Sequence, residues 1–357
     1  MSNYTIGSGV AEAISSFRLP EKLGFGLVTA PVMYSASYAD GAWGRGELVV
    51  HGPIELLPGA RALHYAELVF EGMKAYRVGH DTPNLFRPHA NYARLARSAG
   101  RLAMPAPPEA LFMEGITAVA SACKPFIPRV TGQSLYLRPF LFGTEPGYHI
   151  RPSTTVRFMV IANPAEVYSS GPMKVAIERD DSRASPGGTG VAKTGGNYAA
   201  SLRATQVAGA RGYTVALWLD AATRSYIQEL SGMNLFAVID GVLHTPELDG
   251  SILEGITRDS LITLARARGL TVVERRMSID ELLAQVRSGA CREVFACGTA
   301  AIVSPIGVLG ERDGTEYVPR DVDVVAATLR EALLAIQERR APDPFDWTRE
   351  IPDPVQD

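Results

Sequence analysis

Residues 185–198 read SPGGTGVAKTGGNY, and this stretch decides how the rest of the chain is interpreted. Five glycines surround a single lysine, Lys193, so no regular helix or strand is expected to persist through the segment. A backbone with so few side chains can approach another chemical group closely. Lys193 could be a solvated lysine on a surface loop, a phosphate-binding lysine, or an amine that bonds covalently to a carbonyl compound.

The phosphate-binding interpretation compares residues 187–194, GGTGVAKT, with the loop pattern G-x-x-x-x-G-K-[ST] of nucleotide hydrolases. Residues 213–220 resemble the apolar strand ending in aspartate that often accompanies this loop. Two features oppose the match. Ala192 stands where the last glycine must admit the phosphate, and the polar residues 179–186 stand where a buried apolar strand is required. A nucleotide hydrolase is the alternative from another enzyme class, and a non-catalytic binding module is a more distant one.

The covalent interpretation makes Lys193 the amine that forms a Schiff base with pyridoxal 5'-phosphate (PLP), whose ring withdraws electrons from the α-carbon of an amino acid. Such a cofactor needs an acid beside its ring nitrogen, donors for its phosphate and donors for the substrate carboxylate. The candidates are Glu229 in IQELSGMN, the helix-start amides of Ile256 and Thr257 in LEGIT, and Thr299 in CGTAAIVSP. Taken one at a time, these residues could equally be a solvated glutamate, an ordinary helix cap and a turn.

Hydrophobic periodicity and turn residues predict an α+β chain of two domains. Helices are predicted over residues 89–102, 109–126, 258–268 and 324–339, with Thr257 capping the third, and Ser278 and Glu281 forming a capping box for a further helix. Strands are predicted over residues 135–142, 154–161, 173–178, 213–219 and 233–239, the last turning at Asp240-Gly241 into 242–245. The predicted domains are residues 1–162 and 173–357, joined by a linker at 163–172, and function is expected at their seam.

Composition excludes several classes of protein. The chain has 357 residues, 46% of them hydrophobic and 20% charged, which are ordinary values for a globular protein. The formal net charge of -3 leaves no basic stripe for a nucleic-acid backbone. No apolar run is long enough to span a membrane, no secretory leader is recognised, and the three cysteines form no C-x-x-C pair, so a cytoplasmic location is expected. The six histidines lack metal-ligand spacing, so no metal site is predicted.

Seven blocks of the sequence resemble the branched-chain aminotransferases, a fold-type IV family of PLP enzymes. They are LHYAELVFEGMKAYR at 63–77, LFRPHANYARLARSAGRLAMP at 85–105, SLYLRPFLFGTEPG at 134–147, GGTGVAKTGGNY at 187–198, QELSGMNLF at 228–236, LDGSILEGITRDSL at 248–261 and GTAAIVSPIG at 298–307. The blocks occur in the family's order, which makes chance agreement negligible. D-amino-acid transaminase and aminodeoxychorismate lyase share the fold, but FEGMKAYR and LYLRPF are unexpected in them.

The resemblance implies a homodimer whose active site lies between a small N-terminal α/β domain and a larger C-terminal pseudo-barrel α/β domain. It implies that Lys193 is the Schiff-base lysine and the proton shuttle. The other residues that it assigns to PLP are Arg94, Ile256, Thr257 and Thr299 for the phosphate, Tyr198 for the 3'-oxygen, Glu229 for the ring nitrogen and Leu253 for the ring face. The residues that it assigns to the substrate are Tyr65 from the partner subunit, Phe70, Tyr136, Arg138, Tyr168, Thr299 and Ala300.

The same resemblance implies transamination of leucine, isoleucine and valine with 2-oxoglutarate, which yields 2-oxo acids and L-glutamate. One pocket must then accept both an apolar and an anionic side chain. Phe70, Tyr136 and Tyr168 would offer apolar faces to a branched side chain, and Arg138 would pair with the distal carboxylate of glutamate. For each aromatic residue taken alone, simple core packing is the alternative.

The chain departs from the family pattern in places. Where some relatives carry a redox-active C-x-x-C after the GTA turn, this chain has Ala301 and Ser304, so no thiol switch is expected. Cys297, just before the turn, is expected to be a small buried residue. Residues 24–43 match the family only loosely, and Tyr148 with Ile150 could reshape the pocket.

Overall fold

The computed structural model describes residues 4–167 and 171–352. The chain forms two compact units. The first comprises the described parts of Met1–Tyr168, Ala192–Gly195 and Ala335–Asp357, and the second comprises the described parts of Ser169–Val191 and Gly196–Leu334. The chain therefore passes between the units four times, and the segment that carries Lys193 belongs to the first unit.

Helices and strands are mixed along the chain, as expected for an α+β protein. The strands are β1 (Thr5–Ile6), β2 (Val32–Ala39), β3 (Ala42–Trp43), β4 (Glu47–Val50), β5 (Leu68–Phe70), β6 (Met73–Tyr76), β7 (Asn84–Phe86), β8 (Ser134–Gly143), β9 (Val156–Ala165), β10 (Met173–Glu178), β11 (Val215–Leu219), β12 (Ile227–Leu230), β13 (Asn234–Ile239), β14 (Val242–Pro246), β15 (Val272–Arg275), β16 (Cys291–Gly298), β17 (Ile302–Gly310), β18 (Glu316–Tyr317) and β19 (Thr348–Glu350). The helices are α1 (Val10–Ser16), α2 (Arg61–Tyr65), α3 (Pro88–Arg101), α4 (Glu109–Ala122), α5 (Gly195–Ala199), α6 (Leu202–Ala210), α7 (Ile256–Ala267), α8 (Ile279–Ser288) and α9 (Val325–Gln337). None of the helices in the described part of the chain is long and apolar enough to cross a membrane.

The first unit is built on a ten-stranded sheet in the order β1-β4-β2-β9-β8-β6-β7-β19, with β3 paired to β2 and β5 paired to β8. Strands β8 and β9 form antiparallel pairs over ten residues each, and most of their side chains are buried. Helix α4 packs on β2 and β9, and its Phe112, Ile116 and Val119 are fully buried. This core fixes β8, the strand that carries Tyr136 and Arg138.

The second unit is built on a nine-stranded sheet in the order β12-β11-β10-β17-β16-β13-β14-β15, with β18 paired to β17. Strand β10 is parallel to both β11 and β17, whereas β16 is antiparallel to β17 and β13. Every residue of β11 and β13 is buried, as is typical of strands covered on both faces. Helices α7 and α8 pack on β16.

Local sequence signals predicted many of these elements correctly. Strand β10 spans the predicted residues, and α3 and α9 end within two residues of their predicted bounds. Asp240 and Gly241 have positive φ angles of 49° and 80°, as the tight turn between β13 and β14 requires. Ser278 Oγ accepts a hydrogen bond from the amide of Glu281 at 3.3 Å, which confirms the capping residue of α8.

Two predicted helix boundaries are wrong. The helix predicted over 109–126 ends at Ala122, and Lys124–Phe126 forms a separate 3₁₀ helix, because the proline within it cannot continue α-helical hydrogen bonding. Helix α7 begins at Ile256 with Gly255 as its N-cap, so Thr257 lies in the first turn and does not cap the helix.

The glycine-rich stretch contains regular structure that was not expected. Residues 195–199 form the short helix α5. Two hydrogen bonds fold the stretch back on itself: Asn197 Nδ2 donates to the carbonyl of Thr189, and Thr189 Oγ1 donates to Asn197 Oδ1, both at 2.7 Å. These contacts outweigh the low helix propensity of Gly195 and Gly196.

The two units differ from the domains predicted from the sequence. Strand β9 continues to Ala165, three residues into the predicted linker. Residues of Ala335–Asp357 join the first unit because β19 pairs with β7. The first unit is therefore the larger of the two, whereas the larger domain was expected at the C-terminal end.

Candidate active site

Hydrogen bonds to its main chain fix the position of Lys193. Its carbonyl accepts a bond from the amide of Phe70 at 3.0 Å, and its amide donates to Ser98 Oγ at 2.9 Å. Thr194 Oγ1 donates to the carbonyl of Leu68 at 2.7 Å, so the segment runs antiparallel against the end of β5. The lysine side chain is half-buried, and its Nζ lies 5.0 Å from the centre of the Phe70 ring. This anchoring contradicts a solvated surface loop.

Helix α3 carries Arg94 and Ser98 on one face, four residues apart. Arg94 is buried and donates from Nε and Nη2 to the two carboxylate oxygens of Glu71, at 2.7 and 2.8 Å. Glu71 is completely buried and directly follows Phe70. The residue expected to bind a phosphate is thus already oriented by a bidentate ion pair, and the helix that carries it also holds the Lys193 backbone.

Arg138, Tyr136 and Phe70 form a cluster in the same unit. Arg138 Nη2 donates to Tyr136 OH at 3.0 Å, and the guanidinium carbon lies 4.6 Å from the centre of the Phe70 ring. Arg138 Nε is buried and has no hydrogen-bond partner among the residues that the structure describes. Gly72 must lack a side chain, because a Cβ there would lie 2.0 Å from Tyr136 OH. Aromatic faces beside a cation with such a donor suit a ligand that is partly apolar and partly anionic.

Tyr65 lies at an exposed surface of the first unit. Its side chain is at the end of α2, and its OH donates to the carbonyl of Tyr148 at 2.7 Å. Buried Arg61 holds the same loop, since its Nη1 donates to the carbonyl of His149 at 2.5 Å. Tyr148 and Ile150 remain 70% and 92% exposed. The loop therefore presents apolar side chains outward on a fixed backbone.

Tyr168, the other aromatic residue predicted to line the substrate pocket, lies outside the described residues.

Glu229 lies on β12 in the second unit and is 5% exposed, which contradicts a solvated glutamate at a strand end. Its Oε1 lies 2.7 Å from Nη2 of Arg183, which is also buried, and accepts a bond from the amide of Leu253 at 3.4 Å. Its Oε2 accepts a bond from Asn234 Nδ2 at 3.0 Å. Three groups therefore hold this carboxylate in place inside the protein.

Asn234 connects that carboxylate to the start of α7. Its Nδ2 also donates to the carbonyl of Leu253 at 3.1 Å, and a Cβ on Gly255 would lie 1.9 Å from its Oδ1. Gly255 can occupy this position because it has no side chain, and Ile256 and Thr257 follow as the first helical residues. Their amides lie at the positive end of the helix dipole, where an anion is favoured. One polar network thus extends from Glu229 to a candidate phosphate-binding helix start.

Thr299 and Ala300 are half-buried in the turn between β16 and β17. The turn is strained where it enters β17, since Ile302 has a φ of 62°, which is rare for a β-branched residue. Cys297, just before the turn, pairs with Asn234 across the sheet. Burial raises the pKa of the Cys297 thiol, which agrees with the expected small buried residue.

Tyr198, predicted to contact the 3'-oxygen of the cofactor, is half-buried on α5, where its carbonyl accepts a bond from Ser201 Oγ at 2.8 Å. In the described ranges, no group of three or more His, Cys, Asp and Glu residues could hold a metal ion.

Four residues of these networks were not predicted from the sequence: Glu71, Ser98, Arg183 and Asn234. Ser98 could have been found, because it follows Arg94 by four residues on a predicted helix and so shares its face. The other three lie within or beside the blocks quoted above. No spacing rule indicates that Glu71 pairs with Arg94, or that Arg183 and Asn234 hold Glu229.

Comparisons with known proteins identify the family of the chain. Residues 68–309 match the family model of class IV amino-transferases. The branched-chain-amino-acid aminotransferase of Mycobacterium tuberculosis (strain ATCC 25618 / H37Rv) is 45% identical over 335 residues, covering 91% of each chain. Branched-chain-amino-acid aminotransferase 2 of Bacillus subtilis (strain 168) is 41% identical over 337 residues, covering 93% of each.

Solved structures of similar proteins include the branched-chain amino acid aminotransferase of Escherichia coli, with a TM-score of 0.73 and 28% identity over 90% of this chain and 99% of that one. The T.th. branched-chain amino acid aminotransferase, complexed with N-(5'-phosphopyridoxyl)-L-glutamate, has a TM-score of 0.71 and 29% identity, covering 94% of this chain and 100% of that one.

Proposed function

The chain belongs to the class IV aminotransferases and, within them, to the branched-chain aminotransferases, and from that membership we propose its full reaction. It transfers the amino group of leucine, isoleucine or valine to 2-oxoglutarate, giving the 2-oxo acids and L-glutamate. The observation that carries the proposal is that Lys193 and Arg138 both lie against the Phe70 ring. Lys193 Nζ is 5.0 Å, and the guanidinium carbon of Arg138 is 4.6 Å, from the centre of that ring. The nucleotide-hydrolase alternative is contradicted by the family membership.

Each unit contains polar groups with the chemistry that PLP requires. When bound, PLP supplies an electron-withdrawing ring for the amino acid's α-carbon. Lys193, whose backbone is fixed and whose side chain ends in a primary amine, is the residue that would hold it covalently and then carry the α-proton. Glu229, ion-paired with Arg183, is the acid that would face the ring nitrogen. The residues proposed for the remaining PLP contacts are Arg94, Thr299 and the amides of Ile256 and Thr257 for the phosphate, Tyr198 for the 3'-oxygen and Leu253 for the ring face.

One pocket would accept both substrate classes. Phe70 and Tyr136 offer aromatic faces to the side chain of leucine, isoleucine or valine. Arg138 supplies the charge for the distal carboxylate of glutamate or 2-oxoglutarate. Its buried Nε, which has no partner within the described ranges, is a donor that such a carboxylate would satisfy. Thr299 and Ala300 are proposed for the α-carboxylate, and Tyr168 stays a predicted member of the pocket.

We also propose a homodimer in which Tyr65 serves the active site of the partner subunit. The support is the exposure of apolar side chains on α2 and on the loop that Tyr65 contacts: Leu63 is 61% exposed, and Tyr148 and Ile150 are more exposed still. Large exposed apolar side chains close together in the fold are typical of association surfaces. Light scattering should give twice the chain mass for the native protein and a shift toward the monomer for Ile150→Asp. A monomeric native protein would overturn this part. The cytoplasmic location stays a prediction from the sequence.

Borohydride trapping tests the cofactor and its lysine together. The purified protein should be yellow, lose that colour on borohydride reduction, and yield one modified peptide containing Lys193. In a separate sample without borohydride, a panel of amino acids should bleach the cofactor colour in single turnovers, with leucine, isoleucine, valine and glutamate fastest. Modification of another lysine, or a colourless protein after incubation with PLP, would refute the proposed reaction.

A further inference from the structure

Glu229 and Arg183 form a buried ion pair whose arginine has no assigned role. Their side chains are 6% and 5% exposed, and the nitrogen-oxygen distance is 2.7 Å. We propose that Arg183 is a positioning residue for the reaction, which keeps Glu229 ionised and aimed before the cofactor binds. This inference rests on the proposed function, because it assumes that Glu229 is the acid at the ring nitrogen.

The need for a cation follows from burial. A carboxylate taken out of water without a partner tends to bind a proton, and a protonated Glu229 could no longer accept a hydrogen bond with a full negative charge. An arginine keeps its charge at every pH at which a protein is folded. Arg183 therefore holds Glu229 in the charged form, whereas the uncharged donors Asn234 Nδ2 and the Leu253 amide fix its direction.

Arg183 is itself held in place. Its Nη2 donates to the carbonyl of Ser251 at 2.6 Å. The amide and hydroxyl of Ser251 both donate to Asp249 Oδ1, at 2.8 and 2.6 Å, so the accepting carbonyl is on a fixed turn. Gly190 packs against the same carbonyl, where a Cβ would lie 2.3 Å away. Arg183 is therefore bonded to a carbonyl that Gly190, in the glycine-rich stretch, packs against within the second unit.

Arg258 provides a matched control in the same unit. It is as buried as Arg183, donates to a main-chain carbonyl, that of Pro246, at 2.8 Å, and pairs with the carboxylate of Glu274 at 2.9 Å. Loss of Arg183 leaves the buried carboxylate of Glu229 without its cation, whereas loss of Arg258 removes the donor to the Pro246 carbonyl and one of the two arginines at Glu274, which keeps Arg266 at 3.2 Å. Both substitutions should therefore lower the unfolding midpoint. Only Arg183 touches Glu229, so only its loss should change the cofactor spectrum.

The test is a double-mutant cycle of Arg183→Met and Glu229→Gln, with Arg183→Lys and Arg258→Met beside it. Three quantities are measured: the unfolding midpoint of each protein without cofactor, the absorption spectrum after PLP is added, and the single-turnover rate with leucine. Arg183→Met should slow the leucine half-reaction at least tenfold and shift the absorption in the same direction as Glu229→Gln. In the Glu229→Gln background it should change the rate less than twofold, and Arg183→Lys should recover most of the rate.

Additive effects of the two substitutions would overturn the proposal, as would an Arg183→Met protein that differs from the native one only in its unfolding midpoint, like Arg258→Met. If Arg183→Met does not fold, the proposal is still tested by comparing the double variant with Glu229→Gln and Arg183→Lys with the native protein. The double variant should fold, because it has no unpaired buried charge. Failure of borohydride to label Lys193 in the native protein would instead refute the proposed function, so the two failures are distinguishable.

Discussion

Lys193 and Glu229 are positioned in opposite ways. The lysine is held through its backbone, by the amide of Phe70 and by Ser98 Oγ, and its Nζ lies 5.0 Å from the centre of the Phe70 ring. Glu229 is held through its side chain, which Arg183, Asn234 and the Leu253 amide all contact. A group that carries a proton must move, whereas a group that stabilises charge must be fixed in advance. The difference in anchoring therefore matches the difference in proposed roles.

The largest expected effect comes from Lys193→Ala. The two hydrogen bonds described for Lys193 use main-chain atoms that the variant keeps, so it should still fold. Its turnover should fall by at least about 10²–10⁴-fold, since the proton-transfer group is lost. Lys174→Ala, which removes a half-exposed lysine of the second unit, is the control and should retain full rate. A Lys193→Ala protein that keeps its colour and a near-normal rate would contradict the proposed role of Lys193.

Glu229→Gln should separate binding from chemistry. The amide keeps the size of the side chain but cannot stabilise a protonated ring nitrogen, so the single-turnover rate should fall by about 10- to 10²-fold, as a loss of 1.5–3 kcal/mol gives. PLP should still bind. Glu293→Gln is the control: Glu293 is a buried carboxylate that accepts bonds from the amides that begin α9, so its loss should lower stability and leave the rate unchanged. Equal single-turnover rates for Glu229→Gln and the native protein would make Glu229 structural.

Arg138→Met tests whether one pocket serves two kinds of side chain. The half-reaction with glutamate should lose a charge-assisted interaction of about 1.5–3 kcal/mol. The leucine half-reaction should lose less, because an apolar side chain makes no charge-assisted bond with Arg138. Separate half-reactions are followed through the cofactor's colour, so neither substrate masks the other. Equal losses for leucine and glutamate would mean that Arg138 binds the common α-carboxylate or organises the whole site.

Ser98→Ala tests whether the hydrogen bond to the Lys193 backbone contributes to turnover. It removes the Ser98 Oγ that accepts a hydrogen bond from the Lys193 amide, which should cost about 0.5–1.5 kcal/mol of unfolding free energy and slow turnover only a few-fold. Ser121→Ala removes a similarly buried hydroxyl that bonds to the carbonyl of Pro352 at 2.9 Å, in the same unit. Ser121→Ala should lower the unfolding free energy without slowing turnover. Identical rates for the two variants would mean that Ser98 does not position the lysine.

The smallest effect is expected at the cysteines. Burial raises the pKa of Cys123 in the first unit and of Cys291 in the second to about 12, and raises that of Cys297 as well. At about pH 8 almost no thiolate is present, so a thiol reagent should leave the native protein unlabelled and active. All three should react on unfolding. Rapid labelling of the native protein would show that one unit opens readily.

Local signals in the sequence were sufficient for several elements. The Asp240-Gly241 turn and the Ser278 cap depend on residues one to three positions apart, and both are as predicted. The start of α7 was misplaced because it depends on a distant residue. Thr257 has the side chain of a cap, but the Asn234 side chain fills the space that only Gly255 leaves open.

The parts of the candidate site that the sequence did not predict are pairings across distance. Nothing local indicates that Arg183 pairs with Glu229, or that Arg94 pairs with Glu71, since each bond joins segments that only the sheets bring together. The family resemblance identified one member of each pair and omitted its partner. The end of the chain joins the first unit through the same kind of long-range pairing, because β19 has no local signal for pairing with β7.

The pairing of β19 with β7 also has a consequence for biosynthesis. Ribosomes add about 5–20 residues per second, so β7 is made roughly ten to fifty seconds before the strand that completes its edge, about 260 residues later. During that interval the nascent chain presents an unpaired strand edge, which is a template for pairing with other chains. The yield of native protein should therefore depend on how quickly the ribosome translates the second unit. It should also depend on chaperones that bind the unpaired edge of β7.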